Sequence, residues 1–210
     1  MTRKYGRTYH LPTSQGLASD DKVITDLSVL ETAHEIVVTE KMDGENTTIH
    51  AQGCHPRSPD ARDHPSRDWV KAFAASVSPM LTSDERIIGE NLYAKHAIAY
   101  NALPSFFLGF AWIKEGLFQP WDATLERFAS LGVTPVPVLF RGAFSHTVLK
   151  QLAADLDTER QEGFVVRLID GFPEQDMDRS LAKYVRENHV QTDVHWTKAP
   201  LIPNRMVKRS

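Results

Sequence analysis

With 210 residues, 41% of them hydrophobic and 24% charged, the chain is long enough to bury a proper core as one large domain or two small ones, and its composition is that of an ordinary soluble globular protein. The net charge of −3 excludes a strongly basic protein that coats nucleic acid, no apolar run is long enough to span a bilayer, and the single cysteine, Cys54, excludes an internal disulfide. The start of the chain lacks the basic, apolar, small-residue succession of a signal peptide, and a lone cysteine suits a reducing compartment, so the expected location is cytoplasmic.

Residues 1–35 read as an irregular N-terminal lead-in, with Pro12, Gly16 and the Asp20–Asp21 pair, followed by a short turn of helix or strand. "HEIVVTEK" and "NTTIHAQ" read as two strands joined by the turn "MDGE". "QGCHPRSPDARDHPSR" is a polar loop, and "DWVKAFAASV" has helical spacing that puts Trp69, Val70, Phe73 and Val77 on one face. "ERIIGENLY" starts as a strand. "PSFFLGFAWI" is a buried strand on which a period of two places Trp112 on the face of Phe110. "WDATLERFASLG" is a helix that stops at Gly132, with Trp121 and Phe128 at core spacing. "TPVPVLF" is a short edge or isolated strand, because of its prolines. "SHTVLKQLAADL" is a helix capped by Ser145, and "EGFVVRLI" and "SLAKYVR" are strands.

The mixture is an α+β fold with strands meeting largely in antiparallel fashion, and no boundary divides residues 1–210. Both ends are basic. Arg3, Lys4 and Arg7 precede any acid, and in the C-terminal tail, residues 190–210, Lys198, Arg205, Lys208 and Arg209 follow the last one. Such ends could track a phosphate backbone; as short tails they also read as merely solvated.

The chemistry starts at Lys41. In "EKMDG" a lysine at a strand end is followed by Asp43 and by Gly44, which is free to take a positive φ. Alone this reads as an exposed turn lysine. The sharper reading is a nucleophilic amine, which needs neighbours or desolvation to lower its pKa. Further segments favour the second. "IIGEN" puts Glu90 at the end of an apolar strand, "FFLGFAW" carries Phe110, "EGFVVR" starts with Glu162 and continues to Arg167, and "LAKYVR" holds Lys183. Charges set at the edges of several apolar strands are costly unless they converge on a ligand. Two lysines, two carboxylates and a ring suit a nucleoside triphosphate with a divalent metal.

In this order, "EKMDG", "IIGEN", "FFLGF", "EGFVVR" and "AKYVR" resemble the covalent nucleotidyltransferase superfamily of ATP-dependent ligases and capping enzymes, over about residues 36–190. "EKMDGEN" followed by "GENLYAKH" resembles its RNA ligase branch. The resemblance implies an ATP-grasp-like nucleotidyltransferase core of mainly antiparallel sheets with flanking helices. It also implies a reaction: ATP donates AMP to a lysine, the adenylate passes to a 5′-phosphate RNA end, and a 3′-hydroxyl end attacks to seal the strand. Carried over by position, Lys41 matches the lysine that becomes lysyl-AMP, and Glu40 the residue at the adenine edge. Asp43 would orient the lysine or help hold metal. Asn46 matches a contact to metal-bound water or the reacting phosphate. Arg57 matches an arginine near the ribose and the nucleic-acid end, with Arg62 and Arg67 as competitors. Glu90 matches the ribose-contacting carboxylate, Phe110 the ring that stacks on adenine, Glu162 the carboxylate that organises Mg²⁺ or Mn²⁺, and Lys183 a lysine on the α-phosphate.

The sequence departs from the family pattern in three places. The last motif usually has two lysines one residue apart, whereas here Lys183 is followed by Tyr184, Val185 and Arg186. The stretch after it is too short for an OB-fold, so the expected protein is a stand-alone core, less suited to DNA ligation or capping. The lead-in matches no motif. His50, Cys54, His55 and His64 fit no standard zinc spacing, and Tyr93, Lys95 and His96 read equally as nucleic-acid contacts or as packing. The alternative functions are DNA nick ligation, another nucleotidyl transfer, or a non-catalytic domain that binds nucleotide or RNA ends.

Overall fold

The fold is taken from a computed structural model in which residues 2–187 and 200–207 are described. The expected tail residues Lys198, Lys208 and Arg209 lie outside the described residues. The first half of the chain forms β1 (Tyr9–His10), α1 (Ser28–Glu31), β2 (Ile36–Lys41), β3 (Glu45–His50), β4 (Gly53–Pro56), α2 (Asp68–Val77), β5 (Glu85–Asn91) and β6 (Phe107–Lys114). The second half forms β7 (Leu117–Phe118), α3 (Trp121–Leu131), β8 (Thr134–Pro135), β9 (Val138–Gly142), α4 (His146–Ala154), β10 (Gly163–Leu168), β11 (Phe172–Pro173), α5 (Met177–Ser180) and β12 (Leu181–Val185).

The architecture is the expected α+β one. One sheet runs β1-β12-β10-β2-β9, and the other runs β11-β7-β6-β5-β3-β4 with β8 beside β6. Pairing is antiparallel except for β1 with β12 and β8 with β6. The period of two sorts each strand. Ile36, Val38, Phe164, Val166, Ala182 and Tyr184 turn to an outer core that includes Leu30 and Leu149. Their alternates, among them Thr39, Lys41, Val165, Arg167 and Lys183, turn to the space between the sheets. The outer face of the second sheet packs Ile49, Ile87 and Phe107 against Val70, Ala74 and Val77 of α2 and Phe128 of α3. Each fully buried large side chain there contributes about 1.5–3 kcal/mol. α3 ends at Gly132 with φ 68°, and the Ser145 hydroxyl accepts from the Val148 amide at 3.3 Å to cap α4.

Several local expectations change. β2 and β3 are not a hairpin: β2 is flanked by β10 and β9, and β3 by β5 and β4, so residues 42–44 cross from one sheet to the other. Gly44 is not among the residues with positive φ. It is needed for close approach, because a Cβ there would stand 2.6 Å from the Asn91 carbonyl oxygen and 2.7 Å from Leu92 Cδ2. Trp112 does not share the face of Phe110. The pairs Gly89↔Gly109 and Ile88↔Ala111 leave Phe110 as an extra residue, and this bulge reverses the phase of β6. Trp112 therefore packs on the α2 side, its Nε1 donating to Glu85 Oε1 at 3.1 Å. The polar loop contains β4, with His50 and His55 buried and their rings 5.5 Å apart.

The two ends are also more structured than expected. β1 of the lead-in joins the first sheet. Residues 200–207 are docked through their backbone, which bonds Tyr93, Lys95, Tyr100 and Leu103, while every residue except Asn204 stays exposed. Asn204 is buried, its Nδ2 donating to the Leu92 carbonyl at 2.8 Å and its Oδ1 accepting from the Tyr100 amide at 2.9 Å. One side-chain amide thus satisfies backbone groups that the irregular 92–103 segment cannot pair by itself.

Candidate active site

The space between the sheets is a cavity of about 1040 Å³. β2 ends at its rim. The antiparallel register Gly163↔Lys41 brings the residue before β10 alongside the lysine, and Lys41 Nζ lies 2.6 Å from Glu162 Oε2. Gly163 is required here, since a Cβ would run into the Tyr184 carbonyl. On the next strand Lys183 faces the same cavity, paired with Val165.

The opposite wall comes from the second sheet. Asn46 and Glu90 are directly opposed across β3 and β5. The Asn46 Oδ1 is buried and has no hydrogen-bond partner among the described residues. Phe110 lines the cavity from its bulge, with the Tyr5 ring edge-on at 5.7 Å. Arg57 follows β4, and its amide donates to the Asn46 carbonyl at 2.9 Å. Arg57 and Arg62 line the rim, whereas Arg67 is held by Glu45 in a two-pronged pair, Nε to Oε2 at 2.7 Å and Nη2 to Oε1 at 2.6 Å. Below them Arg167 is 4% exposed, bonded to the Gln119 and Leu168 carbonyls and surrounded by the rings of Phe118, Trp121 and Phe172. Burial lowers its pKa to about 10.

Glu40, Lys41, Asn46, Arg57, Glu90, Phe110 and Lys183 therefore share one cavity, and Glu162 meets it through Lys41. Asp43 is placed differently. Its Oδ2 accepts from the Ala97 and Ile98 amides at 2.8 and 2.7 Å, and its own amide donates to the Tyr100 hydroxyl at 2.9 Å. The carboxylate anchors the crossing turn to the 97–100 segment.

Electrostatics set the protonation states. Burial opposes charge on Lys41, but the carboxylates of Glu162 and Glu90 outweigh it, and the ammonium is held above its ordinary value. Burial lifts Glu90 to about 8, with Lys41 pulling it down and Glu162 pushing it up. Burial and the charge of Lys41 lower Lys183, against the pull of Asp21. Burial also raises Glu40, which a hydrogen bond from Gln161 partly offsets. The result is a Lys41 ammonium beside a Glu90 carboxyl whose pKa of about 8 leaves it mostly protonated at neutral pH.

Tyr5, Arg7 and Asp21 also line the cavity, and the sequence assigned none of them to the nucleotide site, reading Arg7 only as part of a basic end. Asp21 and Arg7 come from the lead-in, and Tyr5 reaches the Phe110 ring. Their positions depend on pairing between the two ends of the chain, which no local pattern encodes.

A family model described as RNA ligase matches residues 34–185. No curated protein matches the chain in sequence. Among solved structures, an archaeal ATP-dependent RNA ligase aligns at 15% identity and a TM-score of 0.59, over 88% of this chain and 48% of that one. A mutant RNA ligase of Naegleria gruberi with ATP and Mn aligns at 15% identity and TM-score 0.55, over 78% and 55%. A protein of Aquifex aeolicus, provisionally described as an ATP-dependent DNA ligase, aligns at 18% identity and TM-score 0.50, over 84% and 50%. At these identities the likeness is one of fold, and the chain spans about half the length of the structures it matches.

Proposed function

Because the chain belongs to the RNA ligase family, we propose that it is an ATP-dependent RNA ligase that joins 5′-phosphate and 3′-hydroxyl RNA ends. The observation that carries this reading is the Lys41–Glu162 pair at 2.6 Å, at the mouth of a nucleotide-sized cavity.

The Lys41 amine attacks the α-phosphorus of ATP, a P–N bond forms, the bond to the bridging oxygen breaks, and pyrophosphate leaves. The resting ammonium must first lose a proton, and Glu162 Oε2 is the acceptor within reach. Lys183 faces the negative charge that grows on the α-phosphate. Glu90, protonated below about 8, offers a hydroxyl donor as well as an acceptor to a ribose hydroxyl. Phe110 supplies a stacking ring and Glu40 a polar edge for adenine. The AMP then moves from Lys41 to the RNA 5′-phosphate, and the 3′-hydroxyl displaces it to close the phosphodiester bond. Arg57 and Arg62 at the rim suit the phosphates of that RNA end.

The residues present suit a divalent ion. Asn46 Oδ1, which has no hydrogen-bond partner among the described residues, and the Glu162 carboxylate are hard oxygen donors that would hold Mg²⁺ or Mn²⁺ with water completing the shell; no cluster of three His, Cys, Asp or Glu suited to a metal occurs among the described residues, so they are too few for an all-protein cage. When bound, the ion neutralises phosphate charge and favours the free amine of Lys41 by cation repulsion. Asp43 enters this reading as the residue that orients the Lys41 turn rather than as the principal metal donor. Among the described residues no helix is long and apolar enough to cross a membrane, and we place the work in the cytoplasm on the lone cysteine.

The test is incubation with α-labelled ATP and Mg²⁺, followed by denaturation. Label that stays on the chain and is absent from Lys41→Arg supports lysyl-AMP. Sealing of RNA but not DNA ends then separates this reading from DNA nick ligation. An unlabelled, adenylate-free, folded chain overturns it in favour of a nucleotide- or RNA-end-binding domain.

A further inference from the structure

We infer that Asp21, supported by His10 and Ser14, is a positioning residue that aims the Lys183 ammonium into the cavity. The lead-in that carries it matches no ligase motif. β1 lies parallel to β12 with His10 directly opposite Lys183, and the Leu11 amide donates to the Lys183 carbonyl at 2.7 Å. On its other side His10 bridges to Val23, accepting from Ile24 and donating to Lys22 through its backbone. The 21–24 segment is thereby laid beside β1, and Asp21 reaches the cavity.

The side chains form a closed chain of contacts. The Val185 amide donates to Ser14 Oγ at 2.9 Å, Ser14 Oγ lies 2.7 Å from His10 Nδ1, His10 Nε2 lies 3.1 Å from Asp21 Oδ2, and Asp21 Oδ1 lies 3.5 Å from Lys183 Nζ. It begins on the backbone of β12 and returns to a side chain of the same strand. His10 and Ser14 are 1% and 6% exposed, so neither is a surface decoration. The His10 Nε2 contact with the carboxylate is at ion-pair distance without an aligned hydrogen bond, and Nδ1 pairs with the Ser14 hydroxyl, for whose proton the Val185 carbonyl at 3.3 Å competes. The Ala18 amide also donates to Asp21 Oδ2 at 3.0 Å, fixing the carboxylate from a second direction.

The spacing suits a rest position rather than a permanent bond. At 3.5 Å the ammonium is attracted but not tightly hydrogen-bonded, and its donors stay available to a phosphate. Asp21 also opposes the burial and the Lys41 charge that lower the Lys183 pKa. A carboxylate beside the lysine thus favours its charged form and its aim, where a misplacement of about 1 Å costs on the order of 100-fold.

This inference rests on the proposed role of Lys183 in nucleotidyl transfer, and a double-mutant cycle tests it. Asp21→Asn is expected to slow label transfer from ATP to Lys41 roughly 10- to 100-fold while changing ATP affinity less than about threefold. Asp21→Glu should recover part of the rate. In a Lys183→Ala background Asp21→Asn should have little further effect, because its partner is gone. An equal loss in both backgrounds overturns the inference and makes Asp21 a structural clasp. Competitive acetylation of Lys183, read by mass spectrometry on the folded protein, needs no catalysis. Higher reactivity in Asp21→Asn supports the inference, and unchanged reactivity overturns it. Absence of label from the wild-type chain would count against the proposed ligase while leaving this second arm to decide.

Discussion

Lys41 and Glu162 stand 121 residues apart in the chain and 2.6 Å apart in space. The contact follows from pairing β2 with β10, and it means that the resting nucleophile is a salt-bridged ammonium. Replacing Lys41 with Arg keeps a cation beside Glu162 but removes any amine that can be deprotonated. Lys41→Arg is expected to fold, bind ATP and take up no label. Lys41→Ala is expected to lose label and also stability, because Glu162 keeps its burial without the Lys41 ammonium. Labelling with parallel thermal melts checks both, and covalent label on Lys41→Arg would refute the mechanism.

Glu90 gives a pH signature. Its pKa in the fold, about 8, lies above its ordinary value of 4.5. The folded state then holds a proton that the unfolded chain has released, so stability falls as pH rises between these values and levels off above about 8. Glu90→Gln removes the dependence. Relative to the wild type, the variant should gain on the order of 4 kcal/mol between pH 5 and pH 9. Urea melts across this range decide, and a gap that does not grow with pH contradicts the protonated carboxyl.

Phe110 owes its access to the cavity to the bulge in β6. Phe110→Ala should weaken ATP binding by roughly 10- to 100-fold, the equivalent of about 1–3 kcal/mol for a lost stacking ring. Phe110→Trp should largely retain it. Equilibrium binding with Lys41→Arg as the background isolates this step, and unchanged affinity in Phe110→Ala would place adenine elsewhere.

Asn204 ties the C-terminal segment to the loop that anchors Asp43. Asn204→Ala leaves the Leu92 carbonyl and the Tyr100 amide without these bonds, at a cost of about 2–4 kcal/mol. Faster amide hydrogen exchange at Ala97 and Ile98 is the accompanying expectation, since their acceptor, Asp43, is held by the same loop. Protection equal to the wild type would show the two anchors to be independent.

The sequence made the longer strands β2, β3, β5, β6, β10 and β12 legible, with Lys41, Glu90, Glu162 and Lys183 on or beside them, because a charge that interrupts period-two hydrophobicity is a local signal; the short strands β1, β4, β7 and β11 were not. What remained hidden was non-local. "MDGE" has turn composition whether it closes a hairpin or crosses between sheets, and only the partners taken by β2 and β3 distinguish the two. Gly44 looked like a φ requirement and proved to be a clearance requirement, set by Asn91 and Leu92. The bulge at Phe110 depends on the register with β5. His10 and Asp21 carried no motif, and their meaning came from a parallel pairing between residue 10 and residue 183. Asn204 resembled any polar tail residue until the 92–103 loop supplied its partners.

The pairing of β1 with β12 has a consequence for synthesis. A ribosome delivers Asp21 and Lys41 early and Glu162 and Lys183 late, so Lys41 waits for the residue before β10, and Asp21 for β12, before each ion pair can close. The nascent chain carries an exposed, incomplete pocket until β12 emerges, and only then can β1 dock. Competence to handle ATP is thereby postponed until nearly the whole core has been made, and an interrupted translation product that lacks β12 would be inert rather than partly active.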